Sequence, residues 1–164
     1  MNKILIISTG GTFNKIYNPK TGNLDIEKSS HALKTIASKW LCNFEILNII
    51  GKDSLEMTDK DRALLASTIN DNPTYQNIII VHGTDTIDIT AQYLADEALG
   101  KTIVLTGAMV PYSIDATEAT ANLASAYGYL SALEKRGVYI AMNGVLNFYK
   151  KVKKNRKLGK FEYL

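Results

Sequence analysis

The sequence predicts a doubly wound α/β domain, a mainly parallel sheet flanked by helices. Five short β-branched runs recur at residues 4–8, 45–50, 77–82, 102–106 and 138–142. Such runs read as buried parallel strands. Helix-period segments lie between them, and this strand–helix alternation is the pattern of a parallel sheet. The chain has 164 residues, 46% hydrophobic and 21% charged, enough for one domain with a sizeable core.

Each element has a local reason. Ile4-Leu5-Ile6-Ile7 is shorter than the roughly 7 apolar residues of a signal-peptide core, and no small-residue cleavage site follows, so it reads as a first strand. Tyr17-Asn18-Pro19-Lys20-Thr21-Gly22-Asn23 is turn-forming, either a hairpin tip or a flexible loop. Ser29 or Ser30 caps a first helix with Leu33, Ile36, Ala37, Trp40 and Leu41 on one face. Cys42 sits on that helix and reads as core. Thr58 and Asp61 form a capping box for a second helix. The third helix covers 87–99 and stops at Gly100. The fourth covers 115–136, is rich in alanine and ends at Gly137. Its Tyr127 and Tyr129 read as packing residues.

Composition excludes several function classes. No apolar run approaches the roughly 20 residues of a membrane-spanning helix, so no membrane partner is expected and the cytoplasm is the expected compartment. The single Cys42 excludes an internal disulfide and any multi-cysteine zinc site. With His31 and His82 the only histidines, neither a metal nor an organic cofactor is expected. The net charge is +3, and seven of the 19 basic residues lie between Lys150 and Lys160. That leaves 12 basic against 15 acidic residues in positions 1–149. A basic cluster can bind nucleic acid by releasing phosphate counterions. This one has no interleaved aromatic repeat and reads as a solvated, partly mobile terminus, so no nucleic-acid partner is expected.

In open α/β sheets ligands bind outside the carboxyl ends of the strands, near a topological switch point. Strand one is followed by Thr9-Gly10-Gly11-Thr12, strand two by Gly51-Lys52-Asp53-Ser54, and strand three by His82-Gly83-Thr84-Asp85-Thr86. Gly107-Ala108-Met109 follows strand four, and Asn143-Gly144 with the lysines follows strand five. Glycines, small hydroxyls and an aspartate therefore converge on one edge.

A threonine hydroxyl is a weak nucleophile until a neighbour takes its proton. Thr12 and Thr84 are the candidates, and Asp85 with a lysine, provided the lysine is neutral when it acts, could form a proton-accepting group with Thr84. The glycines permit close backbone approach and leave amide hydrogens for an oxyanion. These parts suit acyl transfer. No G-x-G-x-x-G or Walker A string is present, so nucleotide binding has no specific support. His82 reads as a satisfied structural contact.

Thr9-Gly10-Gly11-Thr12 after the first strand, with His82-Gly83-Thr84-Asp85-Thr86 after the third, resembles the bacterial-type L-asparaginase family. Asp53-Ser54-Leu55-Glu56-Met57-Thr58 is similar to its substrate-binding loop. Thr106-Gly107-Ala108-Met109-Val110-Pro111 is similar to its Gly-Ala-Met-Arg-Pro string. Asn122-Leu123 and the stretch from Gly137 to Asn143 follow in register, so the resemblance covers nearly the whole chain.

The resemblance implies hydrolysis of L-asparagine to aspartate and ammonia through an acyl-enzyme. Thr12 would be the nucleophile, with Thr84, Asp85 and a lysine as the second catalytic group. Counting from Met142-Asn143 assigns that lysine to Lys154, with Lys153 next to it. Ser54 and Asp85 would hold the substrate's α-carboxylate and α-amino groups. The amides of Gly11 and Thr84 would face the oxyanion, and Tyr17 would be the loop tyrosine that orients the nucleophile. Val110 stands where the family has Arg, and Glu118 where it has Asp; both departures read as structural.

In the longer family members the neighbouring subunit's C-terminal domain supplies an acidic residue to the substrate. The expectation here is one catalytic domain over 1–164 without that second domain, working as a homodimer or higher homo-oligomer. Large apolar residues between Lys157 and Leu164 would cover an exposed face. Two other readings are a hydrolase of another small amide and a non-catalytic sensor of asparagine or aspartate.

Overall fold

The computed structural model describes residues 3–40 and 44–164. In chain order, β1 (Ile4–Gly10) leads through a 3₁₀ turn (Thr12–Asn14) into β2 (Lys15–Tyr17) and β3 (Leu24–Ile26), then α1 (His31–Trp40). Next come β4 (Glu45–Lys52), a 3₁₀ turn (Ser54–Glu56), α2 (Asp59–Asn70), β5 (Asn77–Val81) and α3 (Ile87–Asp96). The chain continues through β6 (Thr102–Thr106), α4 (Ala116–Ala132), β7 (Gly137–Met142), β8 (Val145–Phe148), β9 (Val152–Asn155) and β10 (Lys160–Tyr163).

The central sheet has the order β4-β1-β5-β6-β7-β8. All its pairings are parallel except the antiparallel β7–β8 edge. The chain steps outward from β1 to β4, then crosses back to β5 on the other side of β1. The strand order therefore reverses between β1 and β5, and a crevice opens there at the strands' carboxyl ends.

The side-chain period of two sorts each strand between two cores. Leu5 and Ile7 of β1 face α2 and α3, packing with Leu65, Ile69, Ala91 and Leu94. Ile6 faces the other way, with Leu33 and Ile36 of α1 and Leu123 and Ala126 of α4. Both faces of the sheet are covered, which is why its strands read as continuous apolar runs. No helix among the described residues is long and apolar enough to cross a membrane.

The predicted fold class holds, with local corrections. β1 and β4 run to Gly10 and Lys52, two residues beyond expectation, because their pairing resumes at Gly10↔Lys52 after an irregularity. Neither serine side chain caps α1. Glu27 does so, accepting from Ser29 N–H and from His31 N–H at 3.0 Å. Ser30 takes a left-handed conformation, φ +56°, and its hydroxyl bonds Asn48. The Thr58–Asp61 capping box of α2 is present. α3 ends at Asp96, short of Leu99, because Ala98 turns left-handed at φ +47°. α4 ends at Ala132 because Leu133 is extended.

Residues 17–23 form a hairpin tip: β2 pairs antiparallel with β3, Tyr17 opposite Leu24. Tyr127 packs against Trp40 and Phe44, and Tyr129 edge-on against Tyr139. The expectations for Leu41 and Cys42 fall outside the described residues.

The largest correction concerns the basic terminus. It is an ordered β9–β10 hairpin docked on the α3 side of the sheet. Val152 and Phe161 are each 3% exposed and belong to that core. Of the apolar residues near the end, only Phe161 is covered; Leu158, Tyr163 and Leu164 are exposed.

Candidate active site

Two turns meet at the β1/β5 crevice. Gly11 has φ +77°, and a Cβ added there would lie 2.6 Å from the Gly83 Cα. A Cβ on Gly83 would in turn lie 2.6 Å from the Ser54 Cβ. Only glycine permits this stacking of three turns. It brings the residue after Gly11, Thr12, to the same edge as the residue after Gly83, Thr84. Phe13, fully buried, anchors the short turn that begins at Thr12. The Thr12 hydroxyl carries no hydrogen bond among the described residues.

Thr84 is buried, and its Oγ1 accepts from Lys154 Nζ at 2.8 Å. The same ammonium donates to Asp85 Oδ1 at 2.9 Å. Strand periodicity explains why Lys154 arrives and Lys153 does not. On β9, Val152 points into the core, so Lys154, two residues on, shares its face. Lys153 lies on the other face and pairs with Glu162 of β10 at 3.3 Å. Arg156 also reaches the turn: Nη2 donates to Asp85 O at 2.7 Å, and Nε lies 3.9 Å from Asp85 Oδ1. Sequence reasoning missed Arg156, which reaches Asp85 from the turn that follows β9.

Three expected site residues are placed differently. The Gly11 N–H donates to Lys52 O at 3.0 Å, so it is engaged and does not face an oxyanion. The Thr84 N–H has no partner among the described residues and remains available. Ser54 is 1% exposed and lies beneath the Gly83 turn, its Oγ accepting from Asp85 N–H at 3.2 Å. It holds that turn rather than facing solvent. Tyr17 is 61% exposed at the end of β2 and is not drawn into the cluster.

The supporting loops are tied by charge. Asp53 caps the 54–56 turn, accepting from Leu55 N–H, and pairs with Lys15 at 2.8 Å. The Lys15 bond holds the Asp53 carboxyl below the usual range. Glu118 accepts from Met109 N–H, Val110 N–H and the Asn143 side chain, fixing the loop after β6. The Glu118 departure is therefore structural. Among the described residues no three His, Cys, Asp or Glu side chains gather as a metal-binding group.

His82 supports the site from below and is fully buried. Its Nδ1 lies 2.6 Å from Gly83 O, an acceptor only, so Nδ1 carries the proton. Nε2 then accepts from the Thr90 hydroxyl at 2.8 Å, and Thr90 accepts from Arg62 Nε at 3.1 Å. Burial pushes the His82 pKa from 6.5 down to about 4. Between these values the unfolded chain binds more protons than the folded one. Stability is therefore complete above about pH 6.5 and falls as pH drops toward 4, by roughly 3 kcal/mol from this group. An NMR titration of the ring should find it neutral down to about pH 4; a midpoint near 6.5 would contradict the buried relay.

The Asparaginase, N-terminal family model matches residues 3–159. The chain belongs to this family. The glutaminase-asparaginase of Acinetobacter glutaminasificans is 29% identical over 153 residues, covering 87% of this chain and 46% of that protein. The thermostable L-asparaginase from Thermococcus kodakarensis superposes with a TM-score of 0.83 at 24% identity, over 99% of this chain and 51% of that one. L-asparaginase I from Vibrio cholerae gives 0.79 at 26% identity, over 99% and 52%. This asparaginase-family chain thus spans about half the length of the relatives it matches. The membership supports amidohydrolase chemistry, and the crevice geometry is the place to seek it.

Proposed function

We propose that the chain hydrolyses the side-chain amide of L-asparagine, giving L-aspartate and ammonia. One observation carries the reading: Lys154 Nζ bridges Thr84 Oγ1 and Asp85 Oδ1 at the switch point beside the Thr12 turn. Thr12 Oγ attacks the amide carbon, and the oxyanion that forms is held by the Thr84 N–H. The C–N bond breaks, and the Thr12 hydroxyl proton leaves with the nitrogen as ammonia. An ester joins Thr12 to the aspartyl group. Water then attacks this ester, the bond between Thr12 Oγ and the acyl carbon breaks, and the water's proton passes by way of the Thr84–Lys154–Asp85 group to Thr12 Oγ, so that L-aspartate leaves and the Thr12 hydroxyl is regenerated. Asp85 keeps Oδ2 free of hydrogen bonds among the described residues and receives the substrate's ammonium there. Ser54 positions Asp85 through its N–H.

Ammonia release from L-asparagine over a wide concentration range tests this reading. Release that saturates with substrate supports it. Binding of asparagine without release would point to a sensor instead.

A further inference from the structure

We propose that Lys15 is a positioning residue: its ion pair with Asp53 sets the Thr12 nucleophile against the Asp85 group. The inference rests on the asparagine-hydrolysing reading of the crevice. In that reading Thr12 and the Thr84–Lys154–Asp85 group act on one acyl carbon from two different loops. The Thr12 hydroxyl carries no hydrogen bond among the described residues, so its place is set by the turn that bears it.

Lys15 closes that turn and anchors it to two other loops. Its N–H donates to Thr12 O, which ends the 3₁₀ turn. Its carbonyl accepts from Ser113 Oγ at 2.7 Å, on the loop after β6. Its ammonium donates to Asp53 Oδ2 at 2.8 Å, on the loop after β4. Among the described residues this is the one side-chain hydrogen bond between residues 12–15 and the 53–58 loop. Asp53 Oδ1 accepts from Leu55 N–H at 3.2 Å, which fixes the turn bearing Ser54. Ser54 O then accepts from Thr86 Oγ1 at 2.8 Å, and Ser54 Oγ from Asp85 N–H at 3.2 Å. A line of hydrogen bonds therefore runs from the nucleophile's turn to the Asp85 turn, and Lys15–Asp53 is its charged link. The two side chains are 22% and 31% exposed, so the pair adds little to overall stability. Its effect belongs in the rate instead, because moving a reacting group by about 1 Å can cost about 10²-fold.

The test follows ammonia release from L-asparagine in wild type, Lys15→Met, Asp53→Asn, the double variant and Lys15→Arg. Asparagine at position 53 keeps an oxygen for Leu55 N–H, so the cap of that turn survives. Thermal melts establish that each variant is folded where its rate is read. Lys15→Met and Asp53→Asn are each expected to lower kcat about tenfold and to leave KM within about twofold. The double variant should be no slower than the slower single one, because both substitutions break the same link. Lys15→Arg keeps the charge and should recover most of kcat. An unchanged kcat in Lys15→Met overturns the proposal. So does a rise in KM at constant kcat, which would assign the pair to substrate binding. Losses that multiply in the double variant overturn it too, since the two residues would then act separately. No ammonia from wild type overturns the hydrolase reading itself, and this proposal falls with it.

Discussion

Lys154→Met is expected to lower turnover of L-asparagine by about 10³-fold, the range seen when a positioned proton-transfer group is lost. Lys153→Met should leave turnover within about twofold, because that side chain faces Glu162 and solvent. The two lysines are adjacent in sequence, so overall charge and composition change equally in both variants. Only the face of β9 differs. In wild type the Lys154 ammonium donates to Thr84 Oγ1 and Asp85 Oδ1 at 2.8 and 2.9 Å. Methionine fills the stem's volume but donates to neither. The fold should survive: the pair is part-exposed, 15% and 35%, and such pairs contribute about 1 kcal/mol or less. Steady-state rates beside thermal melts check both halves. A large effect in Lys153→Met with Lys154→Met unaffected would move the assignment by one residue and contradict the geometry.

Thr12→Ala is expected to reduce turnover further, by about 10⁴-fold or more, since loss of a nucleophile removes the covalent route altogether. Stability should change by less than about 1 kcal/mol. The Thr12 hydroxyl has no hydrogen-bond partner to lose among the described residues, and Phe13, not Thr12, buries the turn. Thr12→Ser tests the same point from the other side, because it keeps the oxygen. It should retain measurable turnover.

Much of this architecture was legible in the sequence, for physical reasons. β6 is predicted to the residue, because a fully buried strand flanked by polar and glycine residues leaves the apolar run no other register. The capping box at Thr58 is legible because both its partners lie within one helical turn. The convergence of the loops after β1 and β5 follows from strand order alone. What sequence left hidden depends on contacts between distant segments. Glu27 caps α1 across a left-handed Ser30, which serine propensity does not reveal. The run of lysines after Lys150 masks a two-residue alternation that becomes visible once Val152 and Phe161 are seen in the core. A stretch read as a solvated tail is instead the strand that delivers Lys154. The engagement of the Gly11 N–H rests on the irregular end of the β1–β4 pairing, and that register has no local signature.

The burial of Ser54 carries the same lesson. Its loop resembles a substrate-binding loop in sequence, but the contact with Gly83 that covers it is made across about thirty intervening positions. Motif identity therefore placed the loop correctly while leaving the side chain's task undetermined.

The proposed hydrolysis turns on a covalent acyl intermediate at Thr12. It is tested most directly by quenching the chain during turnover of L-asparagine and mapping the adduct by peptide mass. The expected result is an aspartyl ester on the peptide carrying Thr12, absent from Thr12→Ala. An ester on Thr84, or undiminished turnover in Thr12→Ala, would contradict it.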